Sequence, residues 1–138
     1  MAVIIAAEWR FYMNIPRNLK YTRSHEWVEH LEGGNVRTGL TDFAQQALGN
    51  LVFVNLPENG DEVVAGESYA DVESVKAVSD VNSPVSGTVL AVNEEVTDRP
   101  ELLNEDPYVA WMVEISDVGE CVKLLEAEAY EALCREGE

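Results

Sequence analysis

The clearest alternation of apolar and polar positions runs through residues 69–74, where Ala70 and Val72 are apolar while Asp71 and Glu73 are polar. A period of two predicts a strand with one buried face. A return strand through Val78–Val81 leaves room only for a tight turn, with Lys76 at or near its tip. Pro84 then suits a strand end or edge. Upstream, Trp27-Val28 predicts a short strand, Glu32-Gly33-Gly34-Asn35 a turn, and Val36–Leu40 a strand pairing back as a hairpin. Thr41–Gly49 reads as a short helix. Thr41 or Asp42 caps its free N–H groups, Asp42 with Gln45 approximates a capping box, and Gly49 ends it in a left-handed conformation. Phe43, Ala44, Ala47 and Leu48 form its apolar face, expected to be core.

The run Leu51-Val52-Phe53-Val54 predicts a buried strand, and Pro57–Gly60 a turn. Residues 60–66 open a second hairpin-like unit, and residues 86–96 supply a further strand. Thr97–Pro100 begins a loop or short helix through Leu103, and Tyr108–Ile115 reads as a closing strand. From Glu120 to Glu136 the pattern is helical, with Leu124, Leu125, Tyr130 and Leu133 as contacts; two short helices broken near 127–129 are expected. The pattern is that of a small, mainly β domain with a short helix at 41–49 and C-terminal helices.

Length adds one constraint: 138 residues suit one domain with a real core. Residues 1–18 read as an N-terminal extension, disordered or a non-native start, and 19–138 as a single domain. Met1–Ala7 is apolar but has no preceding basic residue and no clear cleavage site, so it is a poor signal peptide. Trp9, Phe11 and Tyr12 need a covering surface if ordered.

Charge narrows the partners. Nine Lys and Arg stand against 26 Asp and Glu, for a net charge of −17. Such a surface argues against nucleic acid and anionic membranes and favours partners with basic faces. No apolar run approaches the roughly 20 residues that span a bilayer. Cys121 and Cys134 lack metal-ligand spacing and are too few for a disulfide scaffold; both are expected on helical segments, partly buried, in a reducing compartment. Ser24, His25 and Glu26 are adjacent in sequence and do not converge as a hydrolytic triad, so His25 reads as structural. No convergent catalytic constellation is found, and no metal site.

Lys76 is one of only three lysines. A surface lysine is ordinarily a solvated charge. Here apolar Val75 and Ala77 flank it and Glu73 precedes it by three positions, a pattern suited to recognition by an enzyme that modifies the lysine. The segment Glu73-Ser74-Val75-Lys76-Ala77, followed by Ser79-Asp80-Val81-Asn82-Ser83-Pro84-Val85-Ser86-Gly87, closely resembles the lipoyl-attachment region of the glycine cleavage system H proteins. The resemblance extends from Leu19 to the C-terminus. It includes Lys20-Tyr21-Thr22, Ser24-His25-Glu26-Trp27, Gly39–Gln45, Leu48-Gly49, Val52–Val54, Leu56-Pro57, Gly60, Pro100–Leu102, Asn104 and Asp106–Tyr108. Only Val109-Ala110 separates Tyr108 from Trp111, a shorter stretch than the family usually has.

The resemblance implies a flattened β-barrel, or barrel-sandwich hybrid, and lipoate in amide linkage to Lys76. It implies a carrier that is not itself an enzyme. Such a carrier takes the aminomethyl unit of glycine from a pyridoxal-phosphate decarboxylase (P protein) to a folate-dependent aminomethyltransferase (T protein). A dihydrolipoamide dehydrogenase (L protein) reoxidises it. A lipoyl/octanoyl transferase or lipoate ligase loads it. Ser24, Glu26 and Asp80 match positions lining a cleft for the loaded arm. The carrier is expected to be a monomer, in the cytoplasm of a bacterium or in the mitochondrial matrix of a eukaryote. A lipoyl-relay or non-catalytic lipoyl module serving other apo-proteins is the alternative. A biotin carrier is disfavoured because the tip reads Val-Lys-Ala instead of Met-Lys-Met.

Overall fold

The structure, a computed structural model, describes residues 13–136. Two antiparallel sheets, neither closed on itself, share one core. The larger has six strands in the order β1 (Lys20–Tyr21), β2 (Glu26–His30), β3 (Val36–Leu40), β9 (Val113–Ser116), β8 (Gly87–Val92) and β5 (Glu62–Val63). The smaller has β4 (Leu51–Asn55), β6 (Ser68–Ser74) and β7 (Val78–Asn82), with β6 in the middle. Val28, Val36, Val89, Val113 and Ile115 of the large sheet meet Val54, Val72 and Val81 of the small one. This is the expected mainly β, barrel-sandwich architecture.

A second cluster lies on the other side of β2. Trp27 and Tyr21 pack there against Leu125, Tyr130 and Cys134. Glu26, Trp27 and Val28 are therefore all buried, and the strand breaks the one-face-in rule because both of its faces are covered. Trp27 pairs with Gly39 across β2 and β3, and a Cβ built on Gly39 would stand 2.8 Å from the indole nitrogen. The same indole N–H donates to Pro107 O at 3.0 Å.

Among the described residues four α-helices complete the fold: α1 (Asp42–Leu48), α2 (Glu94–Asp98), α3 (Leu102–Glu105) and α4 (Ala127–Glu136). Thr41 caps α1 by accepting from Ala44 N at 3.2 Å, and Gln45 Nε2 donates to Asp42 Oδ1 at 2.7 Å. Gly49 closes the helix at φ +85°.

Several segments differ from the sequence expectation. The strand over 86–96 stops at Val92. Asn93 caps α2 through Glu95 N and gives the acidic residues a helical first turn. The closing strand starts at Val113; Tyr108 lies in a turn in which Val109 N and Ala110 N both donate to Asp106 O. That turn accommodates the short Tyr108–Trp111 spacing. Val52 and Phe53 are 56% and 48% exposed, because a bulge between Leu51 and Phe53 breaks the alternation of β4.

The two C-terminal helices are one. Residues 118–126 are not helical and are held by bridges Val85↔Cys121 and Tyr21↔Leu125, so only α4 is helical there. Cys121 is accordingly exposed and outside any helix, while Cys134 is buried in α4. Residues 13–18, grouped by sequence with the extension, are packed: Asn14 N donates to Asp42 Oδ2, and Asn14 O and Pro16 O accept from Tyr108 and Tyr21. The expectation for Trp9, Phe11 and Tyr12 lies outside the described residues.

Candidate functional site

The turn between β6 and β7 carries Lys76. Ser74 N donates to Ala77 O at 2.8 Å, and the Ser74 hydroxyl accepts from Lys76 N at 3.2 Å and Ala77 N at 3.0 Å. The serine side chain thus satisfies two backbone donors that a three-residue turn leaves over. Val75 N donates to Asn50 O at 3.1 Å and ties the tip to the residue after Gly49. Val75, Lys76 and Ala77 are exposed, Val75 by 71%. Glu73 is half-buried and pairs across the sheet with Val78 on one side and Phe53 on the other. Sequence reasoning placed Lys76 correctly at the tip but gave Ser74 and Asn50 no role. The hydroxyl two residues before the lysine was the available signal.

Lys76 is unusual in its surroundings. Arg17, Lys20, Arg37, Arg99 and Arg135 all lie within ion-pair distance of carboxylates. Among the described residues Lys76 has no such partner, despite the excess of acids. Its stem passes over Gly49, where a Cβ would stand 3.4 Å from Cε.

Beside α1 and β7 opens a cleft of about 160 Å³, lined by Ser24, His25, Leu40, Phe43, Ala44, Ala47, Leu48, Ser79 and Asp80. The apolar face of α1, expected to be core, is also the wall of this cleft: Phe43, Ala44 and Leu48 are half-buried and Ala47 exposed. Asp80, which is exposed, supplies a carboxylate among apolar side chains.

Ser24 and Asp80 thus come together at the cleft, and Glu26 lies behind them. Its side chain is 1% exposed. Glu26 Oε1 accepts from the hydroxyls of Thr22 at 2.5 Å and Ser24 at 2.6 Å, and Oε2 accepts from Asn82 N at 3.3 Å. Burial pushes its carboxyl above the usual range, and these donors partly offset the rise. Glu26 therefore reaches the cleft through Ser24. Thr22, two residues before Ser24, is a further member of this network that sequence reasoning passed over.

His25 sits at φ +75°, between Ser24 and Glu26, and its ring stacks on Phe43 at 4.5 Å. Its Nδ1 lies 2.7 Å from the Tyr130 hydroxyl, which is also 2.7 Å from Thr41 Oγ1. Burial lowers its pKa, so the imidazole beside the cleft is held neutral. The structural role expected for His25 is observed, with a cleft-lining position added. Ser24, His25 and Glu26 do not form a triad, since His25 bonds to α4 and Ser24 to Glu26. Among the described residues no cluster suits a metal ion.

A family model described as Glycine cleavage H-protein matches residues 19–137. The chain belongs to the glycine cleavage H-protein family. It is 56% identical over 119 residues to a glycine cleavage system H protein of Lachnoclostridium phytofermentans, covering 86% of this chain and 94% of that protein. A glycine cleavage system H protein of Geobacillus kaustophilus is 54% identical over 128 residues, 91% of this chain and 100% of that one. The crystal structure of a glycine cleavage system H protein from Mycobacterium marinum superposes with a TM-score of 0.82 at 42% identity, covering 90% of this chain and all of that one. Membership makes the chain a lipoyl carrier of the glycine cleavage system, a component without catalysis of its own, and disfavours the lipoyl-relay alternative. The family carries lipoate covalently on a lysine, and the P, T and L proteins are its partners. No helix among the described residues is long and apolar enough to cross a membrane.

Proposed function

We propose that Lys76 is the lysine that bears lipoate, and that the cleft between α1 and β7 receives the arm with its cargo. The observation that carries this reading is an exposed, unpaired lysine on a pinned hairpin tip, with its stem over Gly49 at the end of the helix that walls the cleft. An amide at Nζ removes the lysine charge, and no carboxylate loses a partner by it. When bound, the lipoyl group supplies a disulfide that is reduced as it takes up the aminomethyl unit and is reoxidised after delivery.

The residues of this chain do the holding. Phe43, Ala44 and Leu48 offer apolar contact to the hydrocarbon of the arm and keep water away. Asp80 attracts the ammonium of the cargo, and because Asp80 is exposed, solvent screening keeps that attraction modest. Ser24 presents its hydroxyl to the same space and is oriented by buried Glu26, which acts as a positioning residue. Glu73, Val75 and Ala77 form the recognition surface for the lipoyl/octanoyl transferase or lipoate ligase. The carrier works as a monomer in the bacterial cytoplasm, meeting the decarboxylase, the aminomethyltransferase and the dehydrogenase in turn.

The test is intact mass with peptide mapping after expression with lipoate and a lipoate ligase. A gain of one lipoyl group on Lys76, lost in Lys76→Arg, is expected. No gain under conditions that modify a known lipoyl domain overturns the assignment.

A further inference from the structure

A second cavity, of about 350 Å³, meets the arm cleft at Ser24 and is lined also by Thr22, Arg23, Asn82, Val122 and Lys123. Its two cations are the point of interest. Among the described residues only Arg23, Lys76 and Lys123 lack a carboxylate within ion-pair distance, while the other five Lys and Arg side chains have one. On a chain with 26 acids, two of the three cations that are unpaired among the described residues line one cavity.

Both stand on pinned backbone. Arg23 lies in a turn closed by His25 N to Thr22 O at 3.2 Å and Thr22 N to Glu26 O at 2.9 Å. Lys123 lies between Val122, whose N–H donates to Pro84 O, and Leu125, whose N–H donates to Tyr21 O. Little backbone ordering remains to be done when a partner docks there.

We propose that this cavity is a docking socket for a carboxylate side chain presented by an enzyme that handles the arm, on a face that is otherwise basic. The inference rests on the reading of Lys76 and its cleft. The surface at large, at net −17, selects a basic partner face but does not fix its orientation. A positive spot beside the cleft mouth does: a partner surface with one acidic residue at the matching place docks in a single register, and others meet like charge. Because the socket and the cleft share Ser24, that register holds the partner's active site over the arm.

The experiment uses the full-length, lipoylated carrier. Arg23→Glu with Lys123→Glu is compared with a control of equal charge change elsewhere, Arg99→Glu with Arg135→Glu. KM and kcat for the carrier are measured with the decarboxylase, the aminomethyltransferase and the dehydrogenase at low ionic strength. The socket predicts a KM about tenfold higher for the first pair than for the control with at least one enzyme, kcat nearly unchanged, and a gap that closes as salt is added. Arg23→Gln with Lys123→Gln gives a smaller rise in the same direction, which guards against a folding defect. Equal KM values for the two Glu pairs overturn the socket. Saturable binding of glutarate to the wild type, with KM unmoved in the variants, makes it a small-molecule site and also overturns it. Absence of lipoyl from wild-type Lys76 overturns the underlying reading, and the socket with it.

Discussion

Gly49 lies beneath the stem of Lys76, at a backbone conformation of φ +85° and ψ −163° that is almost confined to glycine. The residue that ends α1 therefore also shapes the space through which the lysine side chain leaves the hairpin. An alanine there meets both constraints. Gly49→Ala is expected to lose about 1–3 kcal/mol of stability from backbone strain. It is also expected to slow lipoylation of Lys76, since its Cβ stands 3.4 Å from Cε. Urea unfolding and a timed ligase assay read the two effects separately; wild-type values in both refute the relationship.

Asp80 gives a second expectation. Its carboxylate is exposed at the cleft, so its attraction for an ammonium is screened and modest. Asp80→Asn keeps the shape and removes the charge. Lipoylation should proceed at the wild-type rate, while the loaded carrier loses its cargo to water about 2- to 5-fold faster, as suits an exposed ion pair. An unchanged lifetime removes Asp80 from the site.

The lysine hairpin was legible because its alternation, short turn and apolar flanks are local properties of residues 70–81. The capped helix at 41–49 was legible for the same reason. What escaped was set by partners distant in sequence. Residues 120–125 carry apolar spacing that fits a helix, yet their backbone pairs with Val85 and Tyr21, which periodicity does not register. Glu26 read as a cleft acid because it sits in the matching motif. Its burial follows from both faces of β2 being covered, one by the main core and one by α4. The exposed Phe53 needed knowledge of a bulge. The cleft itself needed α1 and β7 to be placed side by side.

Gly39 and Trp27 offer a test of the second core. The pair faces across β2 and β3, and three indole atoms would lie within 2.9 Å of a new Cβ. Gly39→Ala must push the indole away from Pro107 O or bend β3. A loss of about 1–3 kcal/mol is expected from overpacking, with a change in tryptophan fluorescence as the indole N–H loses its partner. A variant with wild-type stability and spectrum refutes the close packing of Gly39 against the Trp27 indole.

The last expectation concerns pH, where two neighbours oppose each other. Burial raises the carboxyl pKa of Glu26. Above the ordinary carboxylate range the unfolded chain ionises first, so the folded state holds the extra proton. Stability from this group is then present at low pH and is lost as pH rises toward the raised pKa. Burial lowers the pKa of His25. Below the ordinary imidazole range the unfolded chain takes up the proton first, so stability is lost as pH falls toward the lowered pKa. On acidification from neutral, His25 subtracts stability and Glu26 returns some. Glu26→Gln should therefore steepen the acid-side fall, and His25→Asn, which tolerates the positive φ, should flatten it. Urea midpoints taken between about pH 4 and pH 8 decide the matter. Slopes identical to wild type in both variants would show that neither group titrates differently on folding. Slopes that move in the same direction would reverse the sign for one of them. Opposite movements establish that folding raises the carboxyl pKa of Glu26 and lowers the imidazole pKa of His25.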